Sequence, residues 1–434
     1  MTASQTVLLF LDLALILCLA RLLGALARKF GQPSVIGEIL AGILLGPTLF
    51  GDHLVSLLFP ADVRLLLNAL AAVGVALFMF VVGAELDIGV LRGGGRVTLW
   101  TTVGSTVLPL GLGAGLALLL VPSRSTSSFV GFVLFFAVAM AVTAFPVLAR
   151  IIADRKLAHT KLGTTALTCA AITDLLAWTL LAVVVAIASG GQFDWRLALV
   201  VPYVVLMATV VRPLLHRSSR FRSERQPADP GGSRNFLALV LSGLLVSAAF
   251  TEWLGLHYIF GAFLFGALLP RGSGGRLRDG VLGRVEPLCG LLLLPVYFVL
   301  SGLKVDLSQL DSSDLGKLAA ILVVAVAGKF LGAYAGARIG GLGSRHSAAL
   351  GALLNTRGLT ELVILGVGLE LGVLDSELYS LMVVMAVTTT MLTGPLLSRI
   401  LPSDAKGDGP ADDLGRPEPS TGTIQESPTV RTTP

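Results

Sequence analysis

Residues 163 to 188 read GTTALTCAAITDLLAWTLLAVVVAIA, an apolar run whose single ionisable group, Asp174, falls almost midway. About 20 apolar residues in a helix cross the ~30 Å hydrocarbon layer of a bilayer, so this run is long enough to span one. A carboxylate at that depth is expensive, because loss of water disfavours its charged form, and an intramembrane acid marks an ion or proton pathway by default. The competing reading is a structural carboxylate bonded within a bundle of membrane helices.

The rest of the chain supplies such a bundle. Of 434 residues, 54% are hydrophobic and 14% charged, with mean hydropathy +0.84, which places most of the chain in lipid as an all-α polytopic membrane protein. The 50 glycines suit closely packed and broken membrane helices. The net charge of +5 is modest and sits in loops, which argues against nucleic acid as a partner. Cys18, Cys169 and Cys289 lie in apolar runs and match no metal or disulfide spacing, so they read as small packing residues. LGLGAG lies inside a membrane run and GSGGR in a basic loop, so neither is a dinucleotide fingerprint, and no cofactor is expected. The first apolar segment lacks a basic leader and runs past the length of a signal-peptide core, so it is expected to be a retained helix.

Apolar runs long enough to cross a bilayer number about thirteen. They cover 6 to 26, 34 to 50, 65 to 86, 97 to 121, 128 to 150, 163 to 188, 195 to 215, 235 to 253, 256 to 270, 281 to 303, 316 to 338, 347 to 372 and 378 to 399. Loops after the odd-numbered spans carry Arg28 and Lys29; Arg92 and Arg96; Arg155, Lys156 and Lys161; Arg217, Arg220, Arg222, Arg225 and Arg234; Arg271, Arg276 and Arg278; and Arg345. The other loops carry Asp306, Asp311, Asp314, Asp375 and Glu377. Because cytoplasmic loops are rich in Lys and Arg, this alternation places the N-terminus outside and the C-terminus in the cytoplasm. The basic loop from Arg217 to Arg234 reads as a hinge between two halves. Residues 402 to 434 turn polar and rich in Pro, Ser, Thr, Asp and Gly, the composition of a disordered cytoplasmic tail.

Three constellations can carry chemistry. Beside Asp174, Thr173 can donate to a carboxylate or ligate a cation through oxygen, or it can back-bond to the carbonyl four residues earlier. In the fifth span, Thr143-Ala-Phe-Pro146 puts a proline inside a helix, where it frees the carbonyl of Val142 and breaks or kinks the chain. In the twelfth, Asn355-Thr356-Arg357-Gly358-Leu359-Thr360-Glu361 interrupts an apolar run with polar groups. The two interrupted spans are an odd number of crossings apart and therefore traverse the membrane in opposite directions. That is the layout of an inverted repeat, in which half-helices meet at midplane and aim their ends at an ion. Spans 4 to 6 would answer spans 11 to 13, with Asp174 beside the crossing. Lys329, midway along the eleventh span, is the expected charge partner of Asp174. Arg357 and Glu361 are expected to pair and hold the twelfth span's break. Asp12, within the first span, lacks an assigned role.

Eight blocks jointly resemble the second family of monovalent cation/proton antiporters: GQPSVIGEILAGILLGP (31 to 47), ALFMFVVGAELD (76 to 87), AVTAFPVLAR (141 to 150), AITDLLAW (171 to 178), HYIFGAFLFGALLP (257 to 270), PVYFVLSGLKVDL (295 to 307), GKFLG (328 to 332) and NTRGLTELV (355 to 363). The resemblance covers about residues 6 to 400. It implies the sodium/proton antiporter fold: thirteen helices, a core of spans 4 to 6 and 11 to 13, and a dimerisation unit of spans 1 to 3 and 8 to 10. It also implies a homodimer in the cell membrane. The family's ion-binding aspartate corresponds to Asp174 and its facing basic residue to Lys329.

Electrogenic members of that family carry an aspartate just before the binding aspartate, where this chain has Thr173. A one-for-one, electroneutral exchange of Na⁺ or K⁺ for H⁺ is therefore expected, with no metal beyond the transported cation. The alternatives are a potassium efflux channel, which would need a continuous polar pore, and an exporter of an organic cation or antibiotic. No nucleophile with its base and no His-Glu metal pattern accompanies the helices, so an enzyme is not expected. The choice between Na⁺ and K⁺ depends on sub-ångström geometry that residue types do not reveal.

Overall fold

The computed structural model describes residues 2–85, 95–120, 129–157, 160–188, 195–217, 230–270, 275–308 and 310–401. The tail from 402 onward, the middle of the basic hinge, and Arg92, Arg220, Arg222, Arg225 and Arg271 lie outside the described residues. The described residues are helical throughout, with no strand among them.

In chain order the helices are α1 (Ala3–Lys29), α2 (Ser34–Leu45), α3 (Pro47–Leu58), α4 (Ala61–Glu85), α5 (Arg96–Leu120), α6 (Phe129–Ala141), α7 (Phe145–Asp154) and α8 (Lys161–Ala188). Then follow α9 (Val200–Leu206), α10 (Pro230–Trp253), α11 (Tyr258–Ala267), α12 (Gly275–Leu288), α13 (Leu294–Leu303), α14 (Ser312–Ile339), α15 (Ser344–Leu354), α16 (Leu359–Glu370) and α17 (Ser376–Ile400). Phe10, Leu22, Leu99, Val107, Val246 and Val323 are each more than half exposed. Such a surface suits lipid tails and would be an aggregation liability in water.

The expected thirteen spans are not all met by length. Ten helices, or eleven with the bent pair α15 and α16, are long and apolar enough to cross a membrane among the described residues. The remaining two, α2 and α11, have 12 and 10 residues. At 1.5 Å per residue they reach roughly 15–18 Å, about half the hydrocarbon thickness. Where the second span was expected to run on to residue 50, Gly46 adopts an extended conformation and Pro47 starts α3, which continues into the stretch after residue 50 that was expected to be a loop.

Acidic residues of the poorly basic loops cap helices. Asp375 accepts the Leu378 N–H at 2.8 Å, and Asp311 with Asp314 forms a capping box on α14. Both satisfy free N–H groups at the positive end of a helix dipole. Lys317 then bridges Asp314 at 2.9 Å and Glu377 at 2.5 Å, tying the starts of α14 and α17.

Helices α5 to α8 and α14 to α17 pack together as one group, and α1, α2, α4, α10, α11 and α13 as a second, with α13 touching α16 between them. The first group is built on α5 against α14, which run antiparallel with Gly104 on Gly332. A Cβ at Gly104 would fall 2.1 Å from Gly332 O, so backbone meets backbone there. By contrast, a Cβ at Gly111 on the same helix meets nothing within 4 Å. Gly104→Ala is therefore expected to destabilise the protein by about 1–3 kcal/mol through overpacking, while Gly111→Ala is neutral or stabilising by up to about 1 kcal/mol. Thermal unfolding of both variants in detergent measures the contrast, and equal melting temperatures would refute the tight crossing.

Candidate functional site

Both expected breaks are present, and they touch. The chain leaves helical geometry at 142–144, between α6 and α7, and at 355–358, between α15 and α16. Pro146 is not inside a helix that it kinks: it is the second residue of α7, where its missing N–H is one of the groups that lack a partner anyway. The Ala144 N–H donates to Thr356 O at 3.1 Å, and Thr143 Oγ1 donates to Leu354 O at 3.2 Å. Each break thus satisfies backbone groups of the other.

The carbonyl end of α6 is covered by two cations. Arg357 donates through Nη1 to Ala139 O at 2.9 Å and through Nη2 to Met140 O at 2.8 Å, while Lys329 Nζ donates to Ala141 O. These are the last three residues of α6, at the negative end of its dipole, where positive charge is stabilising. Lys329 Nζ also donates to Thr143 Oγ1 at 2.7 Å and Ser105 O at 3.1 Å, so its three N–H groups have three acceptors. Ser105 O is free to accept because Pro109, four residues on within α5, has no N–H to offer it.

Arg357 completes its fork on Glu361 Oε1 at 2.8 Å, and neither side chain is exposed. Its backbone is pinned by Thr390 Oγ1, which accepts the Arg357 N–H at 2.9 Å and donates to Arg357 O at 2.7 Å. Thr356 Oγ1 donates to Leu353 O at 2.7 Å, closing the end of α15.

Asp174 takes the opposite pole. Its Oδ2 accepts the N–H of Phe145, the first residue of α7, at 3.2 Å. An anion there meets the positive end of the half-helix dipole. The carboxylate is 3% exposed, and its Oδ1 has no hydrogen-bond partner. Both side-chain polar atoms of Asn355 and Glu361 Oε2 are likewise buried and unpartnered. Oxygen atoms such as Asp174 Oδ1 and Asn355 Oδ1 are the donors that a hard monovalent cation takes, and Asp174 Oδ1 can take a proton instead.

Thr173 follows its back-bonding alternative. Its hydroxyl donates to Cys169 O at 2.5 Å and Ala170 O at 3.2 Å. Lys329 faces carbonyls and a hydroxyl and makes no direct ion pair with Asp174; the two charges sit on opposite poles of one helix break. The structure adds Ser105, Pro109 and Thr390, which sequence reasoning passed over. Pro109 was the available signal, since a proline in an apolar run guarantees a free carbonyl four residues earlier. An open recess of 410 Å³ between α5 and α14, lined by residues such as Trp100, Val107 and Ile339, holds none of these polar groups.

A sequence profile described as "Sodium/hydrogen exchanger, transmembrane" matches residues 14–402. The chain belongs to the sodium/hydrogen exchanger family. Among its relatives, the Na⁺/H⁺ antiporter NhaS4 of Synechocystis sp. is 39% identical over 416 residues, covering 93% of this chain and 100% of that protein. Cation/H⁺ antiporter 20 of Arabidopsis thaliana is 35% identical over 411 residues, covering 91% of this chain and 48% of that protein. The chain thus spans about half the length of the plant relative. The solved sodium proton antiporter MjNhaP1 of Methanocaldococcus jannaschii shares the fold, with a TM-score of 0.62 at 16% identity over 91% of this chain and 96% of that one. All the residues of the site at the two helix breaks lie within the exchanger-family match.

Removing one member of the buried Arg357–Glu361 pair leaves the other uncompensated, at about 3–5 kcal/mol. Arg357→Met and Glu361→Leu are each expected to lower the melting temperature in detergent sharply. The double variant is expected to recover part of the loss, and strictly additive losses would show that the two do not act as a pair.

Proposed function

We propose that the chain is a monovalent cation/proton antiporter that exchanges cytoplasmic Na⁺ or K⁺ for external H⁺, with Asp174 as the shared site. The observation that carries this reading is the divided environment of Asp174: one oxygen held on a helix N-terminus, the other buried and unpartnered at two crossed helix breaks. A group so placed can hold a proton or a cation but not both, which is the condition for obligatory exchange. Family membership and the relatives named Na⁺/H⁺ and cation/H⁺ antiporters support the same reading.

The group of α5 to α8 and α14 to α17 acts as the transporting core, moving against the second group, which forms the contact of a homodimer in the cell membrane. The basic loops face the cytoplasm, placing the N-terminus outside and the C-terminus inside. With Thr173 spending its proton on α8, Asp174 is the one carboxylate of its helix at the site, and exchange is one-for-one and electroneutral. A channel is disfavoured because the buried polar groups gather at the two crossed breaks, where Glu361 is paired with Arg357 and Asp174 is the acid without an ion-pair partner.

In everted vesicles carrying a pH dye, adding Na⁺ or K⁺ is expected to dissipate an acid-inside gradient, and imposing a voltage is expected to leave the rate unchanged. Asp174→Asn is expected to abolish exchange while the protein remains folded. Undiminished exchange in Asp174→Asn would sink the mechanism, and a strong voltage dependence would sink the one-for-one ratio. Lys329→Ala removes the cap on Ala141 and is expected to lower stability or flatten the pH dependence; a variant unchanged in both would remove Lys329 from the site.

A further inference from the structure

The recess between α5 and α14 takes no part in the site at the two breaks. It is open, holds 410 Å³ and is lined by glycine, alanine and aliphatic residues together with Trp100. The two helices touch at glycine, with Gly104 on Gly332 and with Gly336 against the Trp100 carbonyl, where a Cβ would lie 2.1 Å away. Larger side chains such as Val103, Val107 and Ile339 flank that line of contact, and a Cβ at Gly111 beside it meets nothing within 4 Å. From Trp100 to Leu112 the recess follows α5 for about 18 Å at 1.5 Å per residue. That is close to half of the ~30 Å hydrocarbon layer, the depth of one leaflet.

One end of this apolar trough is cationic. Arg96 opens α5, four residues before Trp100 and seven before Val103, which puts it on the recess side of that helix. Arg338 lies in the last turn of α14, three residues after Ala335 of the lining, and so stands on the recess side of its own helix. The two ends meet, since a Cβ at Gly340 would fall 2.6 Å from Val97 Cα. Both arginines are exposed, and Arg338 gives Nη1 to Leu342 O at 2.7 Å. No acidic residue occurs in 95–120 or 328–345 to neutralise them along either helix. The positive end of the α5 dipole adds to the potential there. Trp100, one turn inside Arg96, occupies the level at which an amphipathic ring meets lipid headgroups.

We propose that the α5–α14 recess is a binding site for an anionic phospholipid, with one acyl chain lying along Val103, Val107 and Gly111 and the phosphate held by Arg96 and Arg338. The recess matches a hydrocarbon tail in polarity and in length, and its one charged end matches a phosphate. Guanidinium groups take phosphate oxygens through paired N–H bonds. A zwitterionic lipid brings its own cation to that place, whereas an anionic one leaves its charge for the two arginines. The seated tail braces the Gly104–Gly332 crossing, beside Ser105 and three residues from Lys329.

Lipid brominated on its acyl chains quenches tryptophan fluorescence on contact, and Trp100 reports from the recess itself. Its share is the quenching of the full chain that Trp100→Phe loses. In phosphatidylcholine vesicles, a minor fraction of brominated phosphatidylglycerol is expected to quench Trp100 about fivefold or more as strongly as the same fraction of brominated phosphatidylcholine. Arg96→Gln/Arg338→Gln is expected to bring the two lipids level. Equal quenching in the unmodified chain, or a preference that survives the double variant, overturns the phosphate site. No quenching by either lipid means that protein, such as a second copy of the chain, covers the recess, and it overturns the proposal as a whole. Thermal unfolding in detergent is the second measurement. Phosphatidylglycerol is expected to raise Tm by several degrees more than phosphatidylcholine, and glycerol phosphate to leave it unchanged. Gly111→Phe fills the recess and is expected to keep the starting Tm while losing that increment. An increment that persists in Gly111→Phe, or that glycerol phosphate reproduces, overturns the seated acyl chain. None of these readouts involves transport, so the lipid site and the exchange reading stand or fall separately.

Discussion

A helix interrupted inside a bilayer leaves about four N–H groups on one side of the break and about four carbonyls on the other, in a medium that cannot hydrogen-bond them. This protein contains two such interruptions and brings them together. Part of the demand is met by the breaks bonding to each other through Ala144 and Thr356, and through Thr143 and Leu354. A further part is met by charge: Lys329 and Arg357 on the carbonyl end of α6, Asp174 on the amide end of α7. Each half-helix dipole stabilises the charge it faces, and each charge satisfies backbone groups that lipid would strand.

The arrangement explains why the ionisable groups lie so deep. Arg357 and Glu361 neutralise each other, and Arg357 has its guanidinium spread over two carbonyls and a carboxylate, a task for a planar fork rather than a point charge. Lys329 has three acceptors for three protons, and Ser105 O is one of them because Pro109 leaves it free. Asp174 keeps one oxygen uncommitted at the crossing, as do Asn355 and Glu361. In a fully satisfied network the Asp174 oxygen would be structural; left open, it is where the proposed mechanism has proton and cation compete.

Much of this was legible from residue types. Asp174, Lys329 and the 355 to 361 segment stand out because charges in apolar runs need partners, and the odd number of crossings between the interruptions already implied antiparallel halves. Which partner each charge takes was not legible, since Asp174 finds a backbone N–H and Lys329 finds carbonyls, and backbone partners leave no mark in the sequence. Pro146 was left open between a break and a kink because its position relative to a helix start depends on where the chain stops being helical. Pro109 and Ser105 were passed over because a proline in a membrane helix is common until tertiary packing supplies a lysine. The short α2 and α11 read as full spans because apolar flanks such as Gly46 to Phe50 lengthen the run, while glycine and proline end the helix.

The central claim is that a proton and a cation exclude each other at Asp174. Proton release on cation binding measures this directly: purified protein in weakly buffered solution is titrated with Na⁺ or K⁺ and a pH indicator counts the protons. Below the pH at which Asp174 ionises, about one proton is predicted to leave per cation bound, with none leaving in Asp174→Asn. Cation binding without proton release, or release that persists in Asp174→Asn, would contradict the claim.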